Sequence, residues 1–387
     1  MKPRYNVLLF PLAANDNRKV IMKRINLFSP MFRRFLLGAM MLLLIGGFLS
    51  ASFAKGKSAD GGATVYLPFI VRGQPREPVL LGITPRTYWP SDGSLVPGAL
   101  AQEFAPIDSW SGKHLSLASV YHSFDQSDTV TYMLSEIWDG GYTPFVNIGS
   151  DHSIQSIASG GIDDQIHAWA RSFAAFADGG QRMAYLLPLQ EMNGDWAPYG
   201  SSDPTYFKSA FQRIRNIFAA EGVPEGTAQW VFAPNGLSST GWPDFEAYYP
   251  GDSIVDGVAF SSFNYGYHPA NPYPRWENPD QIYTPYIDRM RTMAPGKPIF
   301  IAQLGTTAYG PDGYDESLKN QWLIDAYTLF AQSEGVKGIL YYNDHNVFDW
   351  SFYRPANNAI FPGYITGVSR SVYKYVSPAD LRDSLVP

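Results

Sequence analysis

Short apolar runs recur eight times between residues 79 and 342, each separated from the next by a stretch with helical periodicity. That alternation restricts the fold more than any other feature of the chain. The runs are Val79 to Ile83, His114 to Tyr121, Pro144 to Ile148, Ala184 to Leu189, Gln229 to Ala233, Val255 to Ser262, Pro298 to Ala302 and Gly338 to Tyr342. Little polar alternation interrupts them, which is how strands buried on both faces of a parallel sheet read. Eight β-α units predict an α/β fold, the (β/α)8 or TIM barrel, in which chemistry is done at the carboxyl edge of the sheet. The helices between carry their own marks. Asp203 is placed to cap a helix that begins at Pro204 and carries Phe207, Phe211, Ile214 and Phe218 on one face. Ile162, Ile166, Trp169 and Phe173 form a second such stripe, and Leu318, Trp322, Ala326 and Phe330 a third.

The fourth run ends in Gln190-Glu191-Met192-Asn193-Gly194-Asp195-Trp196 and continues to Tyr199. A barrel would therefore present Glu191 at its carboxyl edge. The plain reading of Glu191 is a strand-end carboxylate paired with a base. The sharper one follows from its neighbours: Asn193-Gly194 is a turn signal, and Trp196 and Tyr199 are large flat rings placed on a loop. Rings beside a lone carboxylate suit a sugar, whose C–H face stacks while its hydroxyls take hydrogen bonds. Further rings, Trp89, Trp110, Trp138, Trp242, Tyr265, Tyr267, Trp276, Tyr309 and Tyr341, are expected at or just beyond strand ends, where together they predict an aromatic cleft.

These motifs resemble glycoside hydrolase family 26, the β-mannanases and related endo-β-glucanases. The Gln190 to Gly194 run with Trp196 is similar to that family's acid/base motif, and Trp230-Val-Phe-Ala-Pro234-Asn235 to its fifth strand. The segments Tyr248 to Asp256, Pro298 to Thr306 and Tyr341 to Trp350 match later landmarks, so the likeness covers about residues 80 to 375. It implies endo-hydrolysis of a β-linked polysaccharide, mannan or a related β-glucan, without a cofactor. Glu191 would be the acid/base. Gln190, Asn193, Trp196, Tyr199, Asn264, Tyr265, Tyr341 and Trp110 would be substrate contacts.

The departures converge on one place. The position corresponding to the family's nucleophile, a Glu at the end of strand 7, is Gln303; the His before the acid is Gln190; and the Tyr that contacts the nucleophile is Phe263. A retaining glycosidase needs two carboxyl groups about 5 Å apart. An amide is neither anionic nor a competent nucleophile. An isolated exchange at 303 leaves Gln190 and Phe263 unexplained. Three readings stay open: an engineered Glu-to-Gln exchange at 303, a polysaccharide-binding protein that has lost hydrolysis, or an enzyme using another carboxylate among Asp344, Asp151 and Asp195. Asp151-His152 and Asp344-His345 are read as loop pairs rather than metal ligands. No glycine-rich phosphate loop or nucleophile elbow is present, which leaves nucleotide chemistry and serine hydrolysis unsupported.

The charge balance of 29 basic against 35 acidic residues speaks against a nucleic-acid partner, and the absence of cysteine excludes disulfides and zinc-thiolate sites. Basic residues gather at the start. Residues 1 to 34 hold Lys2, Arg4, Arg18, Lys19, Lys23, Arg24, Arg33 and Arg34 against Asp16 alone, ahead of an uncharged apolar stretch, Phe35 to Phe53. That stretch approaches the roughly 20 residues that span a bilayer. Ser52-Phe53-Ala54 offers a signal-peptidase site, so residues 35–54 are a cleaved signal or a retained membrane anchor, with the remainder exported. The expected organisation is then a linker and short strand at 55–78, the barrel at 79–375 and a tail at 376–387.

Overall fold

The structure, a computed structural model, describes residues 77–84, 99–343, 347–354, 357 and 359–385. The signal or anchor, most of the linker, Trp89 and Asp344 lie outside these residues. Among the described residues no helix is long and apolar enough to cross a membrane.

Every expected run overlaps a strand. In chain order the elements are β1 (Leu80–Thr84), α1 (Ala99–Ser111), β2 (Leu117–Ser123), α2 (Val130–Asp139), β3 (Thr143–Gly149), α3 (Ile154–Ser159), α4 (Asp163–Ala177), β4 (Ala184–Pro188), α5 (Pro204–Ala220) and β5 (Ala228–Phe232). They continue with β6 (Gly257–Asn264), α6 (Pro279–Met293), β7 (Ile299–Thr306), α7 (Glu316–Gln332), β8 (Val336–Tyr342), α8 (Pro362–Val368) and α9 (Pro378–Asp383). The strands close into a barrel in the order β1-β8-β7-β6-β5-β4-β3-β2, all neighbours parallel. The second strand begins later than its run because His114 is held outside the sheet, bonded to Asp108 and packed on the Tyr375 ring at 4.3 Å.

Two layers of apolar side chains explain the missing polar alternation. Inside the barrel, Leu80, Leu117, Phe145, Tyr185, Leu187, Phe300 and Leu340 meet in one cluster, centred on rings of Phe145, Tyr185 and Phe300 that lie 4.9 to 5.8 Å apart. Outside it, the alternate residues of each strand pack against the helices. The capping signal is realised at α5, where the Asp203 carboxylate accepts from the Thr205 N–H at 2.9 Å and Pro204 opens the helix. The helix buries Phe207, Phe211, Ile214 and Phe218. In α4, Trp169 stacks on Phe173 at 5.9 Å.

Residues 376–387 depart from the expected tail. Residues 378–383 form α9, whose Leu381 joins the inner cluster with Leu80, Leu117 and Met183. Arg382 fastens the helix by donating to the Gly180 carbonyl at 2.8 Å. The segment is part of the barrel because its one large apolar side chain fills space that the strands leave open.

Glycine is needed where inner side chains approach a neighbouring backbone. A Cβ on Gly82 would stand 2.7 Å from Leu117 Cβ and 2.8 Å from the Leu117 carbonyl oxygen, and a backbone atom cannot turn aside. Gly82→Ala is expected to cost about 1–3 kcal/mol by overpacking, read as a lower midpoint in chemical denaturation with an unchanged slope.

Candidate active site

At its carboxyl edge β4 ends in a backbone that no regular strand allows. Leu189 and Glu191 both have φ of 57°, a left-handed conformation that costs a non-glycine residue about 1–3 kcal/mol. Hydrogen bonds to both neighbouring strands hold it: Leu189 N–H donates to the Ile148 carbonyl at 2.7 Å and Glu191 N–H to that of Ala233 at 2.8 Å. The effect is to aim the Glu191 side chain where three donors meet. Trp196 Nε1 donates to Oε2 at 2.8 Å, Asn235 Nδ2 to Oε1 at 3.1 Å, and the Ser261 hydroxyl also bonds the carboxyl. Burial raises the pKa of this carboxyl above the ordinary glutamate value, with the three bonds pulling it back down. Such a group can keep a proton to donate and remain oriented once it has lost it.

Gln303 is placed by an irregularity in β7. Against β6 the register jumps from Phe260↔Ile301 to Ser261↔Gln303, and against β8 from Ile339↔Ile301 to Tyr341↔Leu304. One extra residue in β7 therefore follows the inward-facing Ala302, so that Gln303 shares the register of Ser261, the serine bonded to Glu191. The amide of Gln303 is 5% exposed and makes no side-chain hydrogen bond among the described residues. Phe263 brings it no hydroxyl. Its ring lies flat on Trp350 at 4.3 Å, and Trp350 lies flat on Phe348 at 4.7 Å. Gly305 makes room for this stack, since a Cβ there would sit 3.0 Å from Trp350 Cγ.

The expected substrate contacts divide. Trp196, Tyr199 and Tyr265 lie near the carboxylate. Trp196 bonds it, and Gln190, the residue before it, has its side-chain oxygen buried without a partner. Tyr265 feels the Glu191 charge, its hydroxyl pKa raised first by burial and then by that carboxylate. Several of the expected contacts are engaged by the protein's own packing. Asn193 is fully buried and clamps the β4 and β5 loops together, donating to the Asn235 carbonyl at 2.8 Å and Ser238 Oγ at 3.1 Å while accepting from Asn235 N–H at 2.9 Å. Tyr199 is buried with its hydroxyl on the Gln190 carbonyl at 3.0 Å. Asn264 is buried, donating to Thr306 Oγ1 at 3.0 Å and accepting from Gly266 N–H at 3.2 Å. Tyr341 belongs to the outer core, its hydroxyl on the Trp350 carbonyl at 2.7 Å. Trp110, 43% exposed, sits in the last turn of α1 rather than at a strand end.

Several site residues were not expected. The half-buried Tyr342, next to Tyr341, faces the mouth of the barrel, its ring 5.8 Å from Phe263 and 6.3 Å from Tyr121. Strand alternation is the signal that separates it from Tyr341. Asn235 and Ser261 had no mark as partners of Glu191, although Asn235 ends the fifth-strand motif. Lys319 was hidden beside the apolar stripe of α7: it is 1% exposed, donates to the Asp349 and Ser351 carbonyls, and burial lowers its pKa to about 8. It braces the loop that carries Trp350. The Asp349 carboxylate completes the brace, accepting from Thr307 Oγ1 and from Ala308 N–H at 2.8 Å.

The remaining titratable candidates stand apart. Asp151 and His152 are exposed beyond β3, and the exposed Asp195 accepts from Ser239 Oγ at 2.7 Å. Among the described residues no three His, Cys, Asp or Glu side chains gather to hold a metal ion. His122 is buried, its pKa lowered to about 4 by desolvation; it accepts from Trp169 Nε1 at 2.9 Å and meets Thr129 Oγ1 at 3.0 Å. It is a core histidine.

Comparison with known proteins agrees with the fold. The β-mannanase from a symbiotic protist of the termite Reticulitermes speratus, solved with gluco-manno-oligosaccharide, superposes with a TM-score of 0.55 at 14% identity, covering 79% of this chain and 90% of that one. A Cellulomonas fimi endo-β-1,4-mannanase double mutant gives 0.58 at 13% identity over 78% and 73% of the two chains. The catalytic domain of the family 26 endo-β-1,4-mannanase of Bacillus sp. JAMB-750 gives 0.57 at 13% identity over 80% and 90%. Endoglucanase H of Acetivibrio thermocellus is 26% identical over 208 residues, 52% of this chain; the match spans about a fifth of that relative, 21% of its length. No family model matches the chain. The barrel is thus built as the solved family 26 β-mannanases are.

The raised pKa of Glu191 has a signed consequence. A carboxyl that holds its proton more tightly when folded favours folding fully below its unfolded pKa, and that contribution is lost as pH rises through the folded value. Glu191→Gln, neutral throughout, should therefore gain thermal stability relative to the parent as pH rises from about 4, the ordinary glutamate value, through the folded value. A melting-temperature difference that stays flat with pH would show an unperturbed carboxyl.

Proposed function

We propose that the barrel acts on a β-linked polysaccharide, mannan or a related β-glucan, as an endo-glycosidase of the family 26 kind, with Glu191 as the proton donor. One observation carries this reading: a half-buried carboxyl with a raised pKa, oriented by Trp196, Asn235 and Ser261, at the carboxyl edge of a (β/α)8 barrel and beside aromatic rings. The likeness to solved β-mannanases and the partial match to an endoglucanase support it. The acid protonates the departing glycosidic oxygen. With an amide at 303, attack at the anomeric carbon falls to water, deprotonated by a carboxylate farther from Glu191 than in a retaining pair. Asp195 and Asp151 follow β4 and β3 on the same edge; Asp344 lies outside the described residues.

The second reading is a site that binds the polysaccharide without cutting it, and Gln303 favours it. Neutralising this position removes the negative charge that stabilises an oxocarbenium-like transition state, while sugar stacking and hydroxyl recognition need no such charge. Phe263, packed flat on Trp350, suits the same neutral site. In either reading Asn193, Tyr199 and Asn264 position the loops. We also propose that the barrel is exported, on the strength of the basic and apolar segments at the start of the chain.

Release of reducing ends from mannan, glucomannan and mixed-linkage glucan separates the two readings. As an enzyme, the parent protein releases ends, and Glu191→Gln lowers the rate by about 10²–10⁴, the usual worth of a positioned proton donor. A silent parent beside an active Gln303→Glu variant would refute hydrolysis and leave binding. A parent that neither cleaves nor binds any of these polymers would end the polysaccharide reading.

A further inference from the structure

A chain of aromatic side chains leads away from Glu191 across the β6, β7 and β8 loops. Tyr265, beside the carboxylate, packs on Phe348 at 5.2 Å; Phe348 meets His268 at 4.9 Å; His268 meets Tyr309 at 4.9 Å; and Tyr309 meets Tyr314 at 5.3 Å. Tyr265, Phe348, His268 and Tyr309 are half-buried, Tyr314 at the far end is 44% exposed, and Tyr273 of the β6 loop is 82% exposed. Rings this exposed are not there to fill the core.

The backbone beneath the ridge is tied down on both sides. Tyr267 N–H donates to the Tyr309 carbonyl at 2.8 Å, linking the β6 loop to the short hairpin of Tyr309–Gly310 and Gly313–Tyr314. Asn271 Nδ2 donates to the carbonyls of Gly266 at 2.8 Å and Tyr273 at 3.1 Å, and Arg275 N–H returns to the Gly266 carbonyl at 3.1 Å. Gly266, at φ 51°, allows the crossing, since a Cβ there would stand 2.5 Å from Thr307 Cγ2. The rings are therefore held in place before anything binds, which reduces the ordering cost of binding.

We propose that this ridge is an extension of the binding cleft, a succession of aromatic contacts that takes an uncharged β-linked glycan lengthwise outward from Glu191 over the β6, β7 and β8 loops. The inference rests on the polysaccharide reading above and adds which side of the cleft carries the chain and what kind of chain it is. Successive rings meet edge-on or tilted, at 53° to 85°, so they offer a row of apolar edges and faces, which suits a repeating ligand whose every unit has an apolar face. The surroundings select a neutral polymer. Asp349 faces His268, and Glu316 and Asp349 face Tyr314, with Arg354 already paired to Glu316 at 2.8 Å. An acidic glycan would meet carboxylates here, and among the described residues the arginines of these loops are already paired, Arg354 with Glu316 and Arg275 with Glu277.

The test is calorimetric binding of β-1,4-linked manno- and cello-oligosaccharides of two to six units to the full chain carrying Glu191→Gln, so that no ligand is consumed. With the ridge intact, the six-unit sugar of the preferred series should bind at least about tenfold tighter than the two-unit sugar. Tyr314→Ala and, separately, Tyr309→Ala should each remove most of that gain and leave the two-unit affinity unchanged. Tyr314 is exposed, so its variant answers even where Tyr309→Ala disturbs the hairpin. A length gain that survives both substitutions overturns the ridge while leaving the polysaccharide reading intact, and the rings then serve another occupant, such as a second protein. No binding of either series overturns both.

Discussion

Closure of the sheet is the constraint from which the site follows. Because β1 pairs with β8 as well as with β2, every strand has two neighbours and all eight carboxyl ends open onto one ring. Residues far apart in the chain, Tyr121, Glu191, Ser261, Gln303 and Tyr342, are brought to that ring by strand direction alone. The inner cluster around Phe145, Tyr185 and Phe300 fills the space below it, so the mouth has a solid floor. A small-molecule cleft needs this arrangement: rigid walls, a closed base and loops free to vary.

On that frame, two local distortions do the aiming. The left-handed residues at 189 and 191 turn a glutamate back across the end of its own strand, and the extra residue in β7 brings Gln303 into register with Ser261. Neither conformation is stable by itself. Each is paid for by hydrogen bonds to the neighbouring strands, and the Asn193 clamp between the β4 and β5 loops prevents relaxation. The site's geometry is therefore a property of strand neighbours more than of the residues that would touch a sugar.

The barrel was legible because its strands are buried on both faces and its helices carry aromatic stripes and explicit caps, all of which are local patterns. Glu191 was legible because a carboxylate, a turn and a tryptophan are consecutive. What remained hidden depends on long-range pairing. Tyr341 and Tyr342 are identical in composition, and only register decides that the first is core and the second faces the cleft. Asn193 and Asn264 look like sugar ligands in sequence, yet bonds to residues more than 40 positions away occupy their amides. Lys319 occupies a helix position that polarity alone assigns to solvent; the carbonyls of Asp349 and Ser351 overrule that assignment. Trp110 was misplaced because a short apolar stretch and the last turn of a helix look alike.

The helix α9 adds a constraint on assembly. Leu381, among the last residues described, packs with Leu80 and Leu117, and β1 pairs with β8 across most of the described sequence. The inner core thus joins the beginning and end of the described chain, a topology of high contact order, whose folding is slow because distant segments must meet before they are rewarded. A nascent chain carrying the first seven strands would have an open sheet edge at β7 and an inner core unsealed at Leu381. Strand pairing can close once β8 is made, but Leu381 joins the inner core only when α9 follows, and until then the chain depends on being kept from aggregating.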